Sequence, residues 1–215
     1  MIQDIWPKHL DNQYKNLKPG NEDTVFYFQG SSLLARPSGH FNSQNPEENV
    51  LIYPQYDEFV QGIKSSYGDK AVDNFEFIYL LSIDEEHFFL ARKTGSLERG
   101  TFLGEMADSA VHKDMYSFVR GYEFIGVDSF RKAQPREHAY AAITAFHLYG
   151  WYRDNHFCGR CGKPLKHDDK QRMLRCDCCK NMVFPKICPA VIVAVTDKDR
   201  ILLTKYAGRT YRNYA

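Results

Sequence analysis

Four cysteines in two pairs constrain this chain more than any other feature. Cys158-Gly-Arg-Cys161 and Cys176-Asp-Cys178-Cys179 are each a C-x-x-C unit, and fourteen residues separate Cys161 from Cys176. Each pair closes a tight turn around one ion. Together they supply Cys158, Cys161, Cys176 and Cys179 as four thiolates, the closed tetrahedral shell that zinc takes in structural sites. The spacer falls just under the usual range for such ribbons, a small departure. Gly159 and Gly162 are expected to provide the unusual dihedrals of the turns. Cys178 offers a C-x-C alternative with Cys176, but Cys179 restores the two-residue spacing and is preferred. Cys178 and Cys188 are then free thiols. His156 and His167 lie close in sequence, but a full set of thiolates makes them unnecessary, and each is expected at the surface.

The placement of the cysteines supports metal over disulfides. All six fall between residues 158 and 188, whereas a disulfide framework spreads its cysteines through a small secreted chain. The start, Met1-Ile-Gln-Asp-Ile-Trp-Pro7, lacks the basic-then-apolar pattern of a secretion signal. No apolar run approaches bilayer-spanning length, so no membrane partner is expected and a cytoplasmic location is the default. Charge is uneven along the 215 residues: residues 151–215 carry 14 Lys+Arg against 6 Asp+Glu, and the remainder 14 against 21. A basic back half suits phosphates of a nucleotide or nucleic acid, or is simply a solvated face.

The front part has the patterning of a mixed α/β domain. Thr24–Gln29 and Leu33–Arg36 are expected strands joined by Gly30-Ser-Ser32, followed by a loop over 37–48. Tyr56, Phe59, Val60 and Ile63 recur at helical spacing, with the helix ending near Gly68. Phe75–Ser82 and His87–Arg92 form a hairpin signal. Val111, Met115, Phe118 and Val119 suggest a helix, and Tyr122–Val127 a strand. Pro135 suits the first residue of a helix whose face is Ala139, Ala142, Ile143, Phe146, Tyr149 and Arg153. Trp151 and Tyr152 on that helix are expected to pack. No catalytic motif stands out in the front part.

Beyond the second cysteine pair comes Phe184-Pro185, then Pro189-Ala-Val-Ile-Val-Ala-Val195, a turn at Thr196–Asp199, and Arg200–Tyr206. A cysteine ribbon running through an aromatic-Pro pair into such a hairpin resembles the NAD(H) diphosphatases of the Nudix hydrolase superfamily. His156-Phe-Cys-Gly-Arg-Cys-Gly162, Trp151 and Val127-Asp-Ser-Phe-Arg131 fit the same pattern. The resemblance is most specific over residues 124–206. It implies a degenerate Nudix-like N-terminal domain, a zinc ribbon and a C-terminal catalytic Nudix domain, assembled as a homodimer. It also implies hydrolysis of NADH or NAD to nicotinamide mononucleotide and AMP, with removal of NAD caps from RNA by some bacterial members. Zinc serves structure in that family, and magnesium or manganese serves catalysis.

The catalytic Nudix box, G-x5-E-x7-R-E-U-x-E-E-x-G-U, occurs nowhere in these residues. Its glutamates hold the divalent ions that clamp pyrophosphate and activate water. The expectation is therefore a fragment, natural or cut, that ends where the next core strand and the box would begin and is inactive alone. No catalytic residue is assigned. The resemblance carries over three substrate-binding candidates. Gln171 stands where the family places a nucleotide-contacting glutamate, Phe184 where it places a tyrosine, and Arg131 is the candidate for an arginine near the dimeric substrate site.

The expected fold class is α+β, in four parts. Residues 1–133 form the Nudix-like mixed α/β domain, 134–155 a connecting helix, 156–184 the four-cysteine zinc ribbon, and 185–215 the first β-hairpin of an incomplete Nudix domain. The competing readings are a stand-alone zinc-ribbon module that binds nucleic acid or protein, and a structural dimerisation fragment. The reading frame downstream of Ala215 separates them.

Overall fold

The computed structural model describes residues 3–39, 50–94, 118–191 and 193–204, without the Arg131 side chain. The chain divides into two compact units, Met1–Pro185 and Lys186–Ala215. Val111 and Met115, most of the 37–48 loop and Lys205-Tyr206 lie outside the described residues. Phe118 and Val119 are described, and they sit in a bend rather than a helix.

The first unit is built on a seven-stranded sheet. Its strands are β1 (Leu10–Asp11), β2 (Thr24–Gln29), β3 (Ser32–Ser38), β4 (Val50–Ile52), β5 (Phe75–Ile83), β6 (Glu86–Lys93) and β7 (Glu123–Gly126). The order is β1-β5-β6-β2-β3-β4, with β7 also pairing β3. Every pairing is antiparallel except β2 with β6, which runs parallel from Thr24↔Phe88 to Tyr27↔Ala91. β3 extends into the expected loop, because Arg36, Pro37 and Ser38 pair with β4.

Both faces of the sheet are covered, which explains why β2 is apolar throughout. Side chains alternate between faces. Phe26 and Phe28 join the core beneath helix α2 (Arg136–Asp154). Val25 and Tyr27 join a second core with Phe59 and Ile63 of helix α1 (Tyr56–Tyr67). Gly68 stops α1 at φ +85°, its N–H donating to the Lys64 carbonyl at 2.9 Å. Gly62 allows close packing on the same helix, since a Cβ there would stand 2.8 Å from the Phe118 carbonyl oxygen.

α2 is buried on more than the expected face. Ala141, Ala145, Leu148, Gly150, Trp151 and Tyr152 are buried along with Ala139, Ala142, Phe146 and Tyr149. The sheet covers one side, where Phe28 stacks on Tyr149 with ring centroids 5.1 Å apart. Leu174 of the cysteine-bearing segment joins the same core. Pro135 stands at the N-cap in extended conformation, not at the first helical position. That segment folds as a three-stranded antiparallel sheet in the order β10-β9-β8, from β8 (Leu165–His167), β9 (Leu174–Cys176) and β10 (Met182–Val183).

The second unit contains a tight hairpin of β11 (Thr196–Asp197) and β12 (Arg200–Ile201), turned by Lys198 at φ +53°. Leu202 N–H donates to the Val195 carbonyl at 2.9 Å. The expected Pro189–Val195 strand is not a ladder strand among the described residues. Val191, Val193 and Val195 are exposed.

Candidate metal centre

Two backbone loops of matching geometry present the four cysteines. In the first, Cys158 N–H donates to the Lys163 carbonyl and Gly162 N–H to the Cys158 carbonyl, both at 2.8 Å. In the second, Cys176 N–H donates to the Asn181 carbonyl at 2.9 Å and Lys180 N–H to the Cys176 carbonyl at 3.0 Å. The fifth position of each loop is left-handed: Gly162 has φ +70° and Lys180 φ +60°. Gly162 plays its expected part, but Gly159 is not left-handed. The second loop achieves the same turn with a lysine, held by a bond from its Nζ to the Asp177 carbonyl at 2.7 Å.

The loops bring the four sulfurs within 4.8 Å of one another. Cys161 Sγ stands 3.4 Å from Cys176 Sγ, and Cys158 Sγ 3.5 Å from Cys179 Sγ. A tetrahedron of thiolates at the usual zinc–sulfur length has edges of about 3.8 Å, so the cluster needs only a slight expansion around an ion. Backbone amides already favour thiolate. The Arg160 N–H points at Cys158 Sγ from 3.4 Å and holds that thiol down to about 6. An amide from Cys179 lowers Cys176. Cys161 is lowered by the Lys163 amide, yet sharing protons with Cys176 and its neighbours pushes it up to about 12. The cluster could hold one metal ion, which would let all four sulfurs be thiolates together. Asn181 Nδ2 approaches Cys158 Sγ at 3.7 Å, an outer contact to the shell. Cys178 and Cys188 are exposed and outside the cluster.

The remaining candidates do not converge on this centre. Gln171 is exposed on the β8–β9 turn, where its N–H donates to Asp168 Oδ1 at 3.0 Å. Phe184 follows β10 and is 49% exposed. Arg131 belongs to the 3₁₀ helix Val127–Lys132, and its side chain lies outside the described residues.

His167 is not a surface residue. It is half-buried, with Tyr152 Oη 2.6 Å from Nε2 and Tyr14 Oη 3.4 Å from Nδ1. These rings belong to one side of an open cleft of about 420 Å³ between residues 14–17, the edge of β5 and the cysteine-bearing segment. Arg172 fixes the ribbon at that edge. Its Nη2 donates to the Leu80 carbonyl, at the place where the β5–β6 register shifts. The cleft combines residues from positions 14 to 174, so no local motif announces it.

No protein-family profile matches the chain. Partial relatives do. The NAD-capped RNA hydrolase NudC of Pseudomonas aeruginosa is 38% identical over 55 residues, 26% of this chain and 20% of that protein. The Salmonella typhi NAD-capped RNA hydrolase NudC is 36% identical over 59 residues, 27% of this chain and 23% of that protein. Its counterpart from Pseudomonas putida (strain W619) is 40% identical over 55 residues, 26% of this chain and 20% of that protein. The chain thus spans only about a fifth of the length of the curated relatives it matches, and what it shares with these NudC-named hydrolases is a segment.

Proposed function

We propose that this chain supplies the N-terminal and zinc-ribbon part of an NAD(H) diphosphatase-type Nudix hydrolase. The observation that carries the reading is the 38% identity over 55 residues to an NAD-capped RNA hydrolase, joined to a four-sulfur cluster fit for one ion. In this reading residues 1–133 are the Nudix-like domain, 134–155 the connecting helix, 156–184 the ribbon, and 185–215 the opening hairpin of the catalytic domain. The ion is zinc and its role is structural: four thiolates fill its shell and leave no site for an activated water. The complete enzyme is a cytoplasmic homodimer acting on NADH, NAD or NAD-capped RNA. Gln171, Phe184 and Arg131 are its substrate-side candidates in this chain.

Pyrophosphate cleavage needs carboxylate-held magnesium or manganese. These residues contain no Nudix box. Asp168, Asp169 and Asp177 lie in turns of the ribbon, and Asp197 and Asp199 in the terminal hairpin. Hydrolysis is therefore assigned to residues outside the 215. Chromatography of products from NADH with magnesium or manganese tests both halves. Turnover by residues 1–215 alone overturns the assignment of chemistry, and a silent longer chain that carries the box overturns the function.

One observation favours a second reading, a ribbon that binds RNA or protein. Phe157, Met182 and Phe184 are 53%, 56% and 49% exposed on the ribbon, beside exposed Lys163 and Arg175.

A further inference from the structure

The cleft between the ribbon and the sheet is separate from the metal centre and unused by the proposed reaction. Its volume of about 420 Å³ falls within the range of small-molecule sites. Tyr14, His167 and Tyr152 stand in series along it, with successive ring centroids 5.3 and 5.5 Å apart. Glu76, Arg92, Lys166 and Asp169 also line it.

The charges identify the ligand class. Two cations face two carboxylates, so the lining has no net charge. The cations are already engaged: Arg92 Nη2 is 3.4 Å from Glu76 Oε2 and its guanidinium 5.0 Å from the Tyr152 ring centroid. Lys166 Nζ is 2.6 Å from Asp177 Oδ2. A free anion would have to break these pairs. A metal ion is not favoured either, since among the described residues the only group of three or more ligating side chains in reach of one another is the cysteine cluster. An uncharged ring with both donors and acceptors on its edge meets every requirement. It stacks on tyrosine or guanidinium planes and satisfies carboxylates and N–H groups together. Burial raises the Tyr14 and Tyr152 phenols and lowers His167, so all three are uncharged near neutrality.

We propose that this cleft binds a planar, uncharged heterocycle of nucleobase size, stacked against the half-buried Tyr14 and His167 rings, which the buried Tyr152 backs, with its polar edge toward Glu76 and Arg92.

Adenosine is the probe. Proton NMR of the His167 ring and calorimetry on the metal-loaded 215-residue chain read binding, with ribose and AMP as the other arms. Adenosine is expected to shift the His167 ring resonances, ribose to leave them in place, and AMP to bind within about threefold of adenosine. Glu76→Gln, which keeps shape and loses the acceptor charge, is expected to weaken adenosine about tenfold. Asn16→Ala, an exposed change at the mouth, should weaken it too, and Lys64→Gln on α1 should not. Melting curves confirm that each variant is folded. Silence of the His167 resonances at roughly 10 mM adenosine overturns the proposal. So does affinity unchanged in both Glu76→Gln and Asn16→Ala. AMP binding more than about tenfold tighter than adenosine overturns the uncharged class in favour of an anion. None of these results depends on NADH hydrolysis, so the site and the proposed function fail separately.

Discussion

The Tyr152 hydroxyl lies 2.6 Å from Nε2 of His167, and this contact joins the last turns of α2 to the first strand of the ribbon. Tyr14 approaches the other ring nitrogen at 3.4 Å, so one imidazole ties three segments together. Neutral imidazole offers one donor and one acceptor, and each phenol can serve either.

Protonation of His167 is predicted to loosen this junction. Burial lowers its pKa, outweighing the nearby Glu76 and Asp168 charges that raise it. A histidine with a depressed folded pKa contributes stability that is complete above its unfolded value of about 6.5. That contribution is lost as pH falls through the lower folded value. The melting temperature of the metal-loaded protein should therefore drop more steeply between roughly pH 7 and pH 5 than that of His167→Gln. At pH 7.5 the variant should be less stable by about 1–2 kcal/mol, through lost partly buried hydrogen bonds. Parallel pH profiles would show that His167 does not set the acid limb.

Metal content separates the ligand cysteines from their neighbour. Cys161→Ser is predicted to lose the ion, whereas Cys178→Ser, exposed and outside the cluster, should keep one per chain. Elemental analysis decides it, and loss in Cys178→Ser with retention in Cys179→Ser reverses the ligand choice. Chelation should unfold the ribbon, because the ion's binding energy is part of its folding energy. Trp151 is buried against Tyr152 with ring centroids 4.5 Å apart, whereas Trp6 is 87% exposed. A red shift in tryptophan emission on chelation would therefore come from Trp151 and report ribbon undocking.

The two cysteine loops make opposite predictions at equivalent positions. Gly162→Ala places a Cβ in a left-handed residue and should destabilise the metal-bound form by about 1 kcal/mol. Lys180→Gly removes that strain from the second loop at φ +60° and should be neutral or stabilising by less than about 1 kcal/mol. Thermal melts of the loaded proteins measure both. A Lys180→Gly variant much weaker than its parent would show that the Nζ–Asp177 carbonyl bond outweighs the backbone strain.

What the sequence discloses tracks the distance over which each feature is decided. The cysteine spacing, the α1 stripe ending at Gly68 and the β5–β6 hairpin depend on near neighbours, and all are legible. Lys180 is not, because its left-handed conformation is set by hydrogen bonds that close only around the folded loop. His167 looks like a spare surface histidine until Tyr14, 153 residues earlier, folds against it. The parallel pairing of β2 with β6 and the two-residue β1 leave no periodic trace. The apolar run at 189–195 has strand composition, but a strand needs a partner to pair with.

Nucleic-acid binding gives the test that ranks the enzyme reading against the stand-alone module. Residues 151–215 carry 14 Lys+Arg and 6 Asp+Glu, which attracts phosphates. Much of the ribbon's charge is spent locally. Lys166 pairs with Asp177, Lys180 Nζ donates to the Asp177 carbonyl, and Arg172 donates to the Leu80 carbonyl. The other cations within residues 156–184 are Arg160, Lys163, Lys170 and Arg175. Binding of labelled single-stranded RNA should therefore be weak, and it should fall with salt along a shallow slope of about −0.7 per phosphate contacted. Phe157→Ser and Phe184→Ser remove the exposed rings on which bases would stack, and such stacking is worth about 1–3 kcal/mol per base. If the enzyme reading holds, Phe157→Ser changes the affinity for uncapped RNA little in this chain. Tight binding that persists at high salt and collapses in either variant would instead establish a base-stacking ribbon and place the nucleic-acid module first.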